Sequence, residues 1–202
     1  MKNPGIRIAS GKFKNSALPG PKAHRNHQNS TTARVKEAAF QIIRNRIDFD
    51  ADWLFYDLFA GSGQMGIEAL SLGATHVTFA ELVPDRLSEI QRSLAALEVP
   101  RDSFTLARAR ANKIMQEAFE TPDIPCVIWA DPPYSYNHTP SNDPAILIAL
   151  YREAARAGRP MPLLIIQVHE KNSVLTQEFL AANPDLEIYR YGSNCLTVLQ
   201  TQ

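Results

Sequence analysis

Asp57-Leu58-Phe59-Ala60-Gly61-Ser62-Gly63-Gln64-Met65-Gly66 decides the fold. It joins an apolar run, Trp53 to Leu58, to a segment of helical periodicity, Gln64 to Leu72. Gly61, Ser62 and Gly63 allow a tight turn against which a ligand can lie, because a residue without Cβ lets the backbone approach closely. Gly61, Gly63 and Gly66 have the spacing of a nucleotide-binding turn, and Glu81 falls where an acid binding a ribose is expected.

The same alternation continues outward from that turn. Strands are expected at His76–Leu82, Phe104–Ala107, Cys126–Ala130 and Leu163–Val168, with helices at Pro84–Leu97, Ala111–Phe119, Pro144–Ala157 and Val174–Ala182. Nearly continuous apolar runs such as Cys126–Ala130 suit parallel strands covered on both faces. Leu186–Tyr191 and Cys195–Gln200 read as a closing hairpin around Gly192-Ser193-Asn194. The fold class is therefore α/β, a doubly wound sheet that binds ligands at the carboxyl ends of its strands.

Composition narrows the setting. The formal net charge of +0 conceals an asymmetry: residues 1–46 carry ten Lys or Arg and one acid, whereas the remainder carries eleven basic and twenty acidic residues. A basic arm of that kind suits a polyanion, since local charge sets phosphate contacts. Residues 1–30 are rich in Gly, Pro, Asn and His, and only Ile6–Ala9 hints at a strand, so the arm is expected to be mobile without a partner. From an N-cap at Thr31 or Thr32, a helix is expected over Ala33–Ile47, with Arg34, Lys36, Arg44 and Arg46 forming its basic face. The division is thus an arm and helix at 1–47 and a catalytic domain at 48–202.

No run reaches the length of a membrane span and no secretory signal is apparent. Cys126 and Cys195 sit in apolar runs and read as buried free thiols, so a cytoplasmic location is expected. No Cys/His spacing suggests zinc, and no metal is expected. Trp53 and Trp129 read as core. His24 and His27 belong to the polar arm, and His138 or His169 could line a pocket near the strand ends.

Two strand ends define the chemistry. Asp57, just before the glycine turn, is an unwelcoming neighbour for a pyrophosphate but suits a cationic ligand. S-adenosylmethionine fits: it carries a sulfonium, an ammonium and a ribose diol for Glu81, and no phosphate. Asp131-Pro132-Pro133-Tyr134 follows the Cys126–Ala130 strand. Asp131 and the Pro132 carbonyl can accept hydrogen bonds from an exocyclic amine, and Tyr134 can stack on the ring that carries it.

With these residues in place, the chain resembles a class I S-adenosylmethionine-dependent methyltransferase, and more narrowly the RsmD-type enzymes that methylate guanine N2 in 16S ribosomal RNA. The resemblance runs through Arg7-Ile8-Ala9-Ser10-Gly11-Lys12-Phe13, Thr32-Ala33-Arg34-Val35-Lys36-Glu37-Ala38, the glycine segment with Glu68-Ala69-Leu70, and Asp131-Pro132-Pro133-Tyr134. It implies a seven-stranded Rossmann-like methyltransferase sheet with a basic N-terminal extension. It further implies cofactor contacts from Asp57, Phe59, Ala60, Gly61, Ser62, Gly63, Gly66, Glu81 and Thr32, and an amine site at Asp131, Pro132, Pro133 and Tyr134. RNA contacts are expected from Arg7, Lys12, Lys14, Arg34 and Lys36. The implied partner is ribosomal RNA, within an assembling small subunit or free, and a monomer is expected.

The chain departs from the family at three places. Asn29-Ser30-Thr31 stands where Arg-Pro-Thr is usual, Ala33 replaces an Asp, and Arg110 or Asn112 occupies the position of an adenine-binding Asp. Rival readings are a DNA adenine-N6 or protein amino-methyltransferase, a nicotinamide-dependent oxidoreductase using the glycine turn, and an inactive RNA-binding module.

Overall fold

In the computed structural model, residues 7–18, 31–121, 124–133, 144–158, 161–169 and 177–200 are described. Tyr134, His24, His27 and His138 lie outside them, as does the side chain of His169. The elements run α1 (Ala33–Arg44), β1 (Leu54–Asp57), α2 (Gln64–Ser71), β2 (His76–Ala80), α3 (Pro84–Ala96), a 3-10 turn (Arg101–Ser103), β3 (Phe104–Ala107), α4 (Ala111–Phe119), β4 (Cys126–Ala130), α5 (Pro144–Arg156), β5 (Leu163–His169), α6 (Gln177–Ala181), β6 (Glu187–Tyr191) and β7 (Asn194–Leu199).

The strands form one sheet in the order β3-β2-β1-β4-β5-β7-β6. β1 to β5 are mutually parallel, while β7 runs antiparallel between β5 and β6. The strand order reverses between β1 and β4, so the loops after these strands diverge and leave a crevice at their carboxyl ends. Leu54 pairs with both His76 and Cys126, which sets the ends of β1, β2 and β4 almost level.

Alternation along the strands divides the core in two. Phe55, Val77, Phe79, Val127, Trp129 and Ile165 face one side with α1, α2 and α3. Ile128, Ala130, Leu164 and Ile166 face the other with α4 and α5. Trp53 and Trp129 are both buried, and Cys126 and Cys195 are buried free thiols. No helix among the described residues is long and apolar enough to cross a membrane.

Residues 7–18 are more ordered than the composition of the arm implies. Ile8 and Leu18 are buried in the core, and Arg7 pairs with Ala17 across a turn. Gly11 sits at φ +76°, where a Cβ would lie 1.8 Å from the Ser71 carbonyl oxygen. The Lys12 amide donates to that carbonyl at 2.8 Å, and the Phe13 amide to Ser71 Oγ at 2.8 Å. Only glycine permits this approach, so the turn is fastened to the last residue of α2.

Glu68 of α2 completes the attachment. Its carboxylate accepts from the amides of Ala9 and Ser10 and pairs with Lys36 Nζ at 2.7 Å, with side-chain exposures of 1% for Glu68 and 3% for Lys36. Lys36 also donates to the Arg7 carbonyl. The expectation of Lys36 on an RNA-facing surface is thereby corrected. It lies in helical register with Phe40 and Ile43, on the buried stripe of α1, and ties the 7–18 segment to that helix.

Candidate active site

The sheet brings three carboxylates to one end. Asp57 closes β1, Glu81 follows β2 and Asp131 follows β4. Asp57 is 1% exposed, and its Oδ2 accepts from the Gly66 amide at 3.3 Å while Oδ1 has no hydrogen-bond partner. Burial raises its carboxyl to about 7, and the charges of Asp131 and Glu81 push the same way, against the bond from the Gly66 amide and the weaker pull of the nearby Phe59 amide. A buried acid with an orphaned oxygen, facing two more acids, is unfavourable for an anion and favourable for a cation.

The glycine turn frames that acid. Gly63 has φ +76° and precedes α2, and its amide donates to the Ala60 carbonyl at 2.6 Å. A Cβ there would meet Ile90 of α3 at 2.9 Å, so both conformation and space require glycine. A Cβ on Gly61 would meet only the Phe59 carbonyl oxygen, at 3.8 Å, which leaves open space beside the turn. Phe59 and Ser62 are partly exposed at the crevice, and Ala60 and Gly66 are buried beneath it.

Glu81 is engaged on both oxygens. Oε1 accepts from the amides of Leu82 and Val83, and Oε2 from the Gly61 amide at 3.1 Å and Arg86 Nη1 at 3.3 Å. These four bonds use its acceptor capacity. The bond from Arg86, whose side chain is 41% exposed, is the one a ligand hydroxyl displaces most readily. Leu82 and Val83 are large exposed apolar residues beside it, a ledge for a ring. Arg110, the N-cap of α4, is exposed, and Asn112, the other candidate for the position of the family's adenine-binding acid, is partly exposed in the first turn of α4.

Asp131 is partly exposed and Pro132 buried, and neither Pro132 nor Pro133 has an amide proton. Pro132 and Pro133 therefore present carbonyl acceptors and no backbone donor. The Thr31 hydroxyl donates to Asp131 Oδ2 at 3.1 Å, and the Thr31 carbonyl accepts from Gln64 Nε2 at 3.2 Å. Gln64 is the first residue of α2, directly after the glycine turn. Asp131, the start of α1 and the glycine turn are thus tied in one chain of contacts.

Thr32, expected at the cofactor, is exposed and caps α1 by accepting from the Val35 amide at 3.3 Å. Its neighbour Thr31 makes the contact with the site. The sequence offered no separate signal for Thr31, because two adjacent threonines compete for one capping role. Arg7, Lys12, Lys14 and Arg34 are exposed. The turn bearing Lys12 and Lys14 lies by Ser71, at the end of α2 remote from the glycine turn.

Residues 6–153 match the model of the family described as Conserved hypothetical protein 95. The chain belongs to that family. Over 132 residues it is 29% identical to Ribosomal RNA small subunit methyltransferase D of Haemophilus influenzae, covering 65% of this chain and 65% of that protein. The match thus spans just under two thirds of that relative's length. A solved structure of a hypothetical protein from Thermus thermophilus superposes with a TM-score of 0.68 at 23% identity, covering 97% of this chain and 99% of that one. The 16S rRNA N2 G1207 methyltransferase RsmC of the same organism, solved with AdoMet and guanosine, superposes with a TM-score of 0.59 at 13% identity over 87% of this chain and 45% of that one.

The chain is an RsmD-type methyltransferase with a Rossmann-like sheet. The residues present fit S-adenosylmethionine. The orphaned Asp57 oxygen suits an ammonium group, the space beside Gly61 admits a ligand, and Glu81 can exchange Arg86 for a ribose diol.

Proposed function

We propose that this methyltransferase modifies the exocyclic N2 amine of a guanine in small-subunit ribosomal RNA. The observation that carries the reading is Asp131, an acid at the end of β4 beside the cofactor carboxylate Asp57 on β1. The names of the relatives support ribosomal RNA as substrate, and the RsmC neighbour supports guanine N2.

The bound cofactor supplies an electrophilic methyl group on a sulfonium. The chain's own residues do the rest. Asp57 and the glycine turn orient the charged end, and Glu81 the ribose. Asp131 and the Pro132 carbonyl accept hydrogen bonds from the two amine hydrogens. This favours a pyramidal nitrogen with an available lone pair and stabilises its developing positive charge. Thr31 restrains Asp131 from behind, so the acceptor geometry is set before the base arrives. The base must leave its stack to reach this crevice, and Tyr134 is assigned the role of its platform. Exposed Arg7, Lys12, Lys14 and Arg34 hold phosphates, with affinity falling as salt rises.

The test is methyl transfer from labelled cofactor to small-subunit RNA, free and in assembling particles, taken from cells lacking the protein. Label recovered as N2-methylguanosine at one nucleotide is expected. Label recovered as N6-methyladenosine, or on DNA or protein alone, refutes the assignment.

A further inference from the structure

Gln167 interrupts an otherwise apolar run, Leu163–Val168, in β5. It is 4% exposed, and its Oε1 is buried without a hydrogen-bond partner. Its Nε2 donates to Asn194 Oδ1 at 3.4 Å, and Asn194, partly exposed, opens β7. A buried carbonyl oxygen without a donor destabilises the fold that contains it, so its position is informative.

The register gives that position. Ala130 of β4 pairs with Ile166 of β5, so Asp131 and Gln167 are the next residues on neighbouring strands. Trp129 and Ile165, one pleat earlier, share a face of the sheet, and so does Asp57, paired with Trp129. Alternation carries Asp131 and Gln167 onto that face, at the carboxyl ends of adjacent strands. Four buried polar side-chain atoms among the described residues lack partners, on Trp53, Asp57, Gln167 and Thr197. Those of Asp57 and Gln167 flank Asp131 on its own face. Trp53 precedes β1 at the opposite end, and Thr197, paired with Ile166, faces the other way.

We infer that Gln167 is a specificity-determining residue that accepts a hydrogen bond from N1–H of the target guanine while Asp131 holds the adjacent N2 amine. The inference rests on the guanine-N2 reading and deepens it. On the Watson–Crick edge of guanine, N1–H and the N2 amine are neighbouring donors, and two acceptors side by side on β4 and β5 complement them. Adenine has an unprotonated acceptor at N1, which would face the Gln167 carbonyl oxygen without a proton between them. Asn194 holds the far side of the amide and keeps the carbonyl turned toward the base.

The test uses RNA carrying the mapped target nucleotide as guanine or as 2-aminopurine, which retains the N2 amine but has no proton on N1. The wild-type enzyme is expected to prefer guanine by at least about tenfold in kcat/KM. Gln167→Leu should erase most of that preference by slowing guanine, while the 2-aminopurine rate and cofactor affinity stay within about threefold. Thermal unfolding provides an independent readout. Gln167→Leu and Gln167→Met should be as stable as wild type or more so, because the orphaned oxygen is gone.

A wild-type enzyme without preference between the two bases overturns the inference while leaving guanine methylation intact, and this arm needs no variant to fold. Equal losses on both bases in Gln167→Leu reduce Gln167 to a structural role and also overturn it. Transfer to neither base by wild type refutes the parent reading, and the inference with it.

Discussion

Glu68 and Asp57 are both 1% exposed, both lie on the face covered by the first three helices, and are eleven residues apart. Their surroundings are opposite. Glu68 meets Lys36 at 2.7 Å and the amides of Ala9 and Ser10, all supplied by this chain. Asp57 keeps one oxygen without a partner and faces two further acids. A buried acid whose partners are all internal holds the fold together. One that keeps an oxygen unpartnered and faces like charge is suited to receive a cation from outside the chain. The same residue class, burial and face carry contrary meanings, and only the inventory of partners separates them.

The largest test removes the acid on the amine side. Asp131→Ala should lower methyl transfer by about 10³-fold or more while cofactor affinity, measured by calorimetry, stays within about threefold. Retained transfer would show that Asp131 is not part of the reacting site.

Glu68→Ala attacks the closed partner set. It leaves Lys36 buried and unpaired and should cost about 3–5 kcal/mol of stability, read by denaturant or thermal unfolding. Faster proteolysis within residues 7–18 should accompany it. A loss under about 1 kcal/mol would remove the contrast between the two acids.

Asp57→Asn is next, with a sign that depends on pH. The Asp57 carboxyl is raised from 3.8 to about 7. The protonated form therefore favours the folded state. Its contribution is fully present below about pH 4 and lost as pH rises through about 7. Over that window the contribution of Asp57 to stability should fall by roughly 4 kcal/mol, at about 1.4 kcal/mol per pKa unit. Asp57→Asn should abolish this slope, stabilise the free enzyme at about pH 8 and weaken cofactor binding. In the unmodified enzyme, cofactor affinity should strengthen between about pH 5.5 and 7.5, as the ionised carboxylate becomes available. A flat profile would contradict the role of Asp57 toward a cation.

Thr31→Val is the smallest. It removes the hydroxyl bonded to Asp131 at a nearly isosteric site and should reduce kcat about tenfold with little change in KM. A change in KM alone would place Thr31 in binding rather than in positioning Asp131.

The alternating apolar runs made the α/β sheet legible, because continuous runs such as Cys126–Ala130 fit few other environments. The glycine spacing and the acids at strand ends located Asp57, Glu81 and Asp131 for the same reason: each lies where a strand stops. The other features depend on tertiary pairing. Lys36 looked like a surface cation by residue type, although its spacing from Phe40 and Ile43 placed it on the buried stripe. The 7–18 segment looked mobile, since its acceptor carboxylate is 59 residues away. Gln167 was visible only as a polar interruption in an apolar strand, and its orphaned oxygen emerges from the packing alone.

The contact between Thr31 and Asp131 spans 100 residues, and that between Ala9 and Glu68 spans 59. During synthesis residues 7–18 therefore emerge before α2 and have no docking surface until that helix follows them. The acceptor end of the site closes only after the fourth strand has emerged. Contacts of such separation are slow to form and are made late. The acceptor end is therefore among the last parts of the fold to be completed.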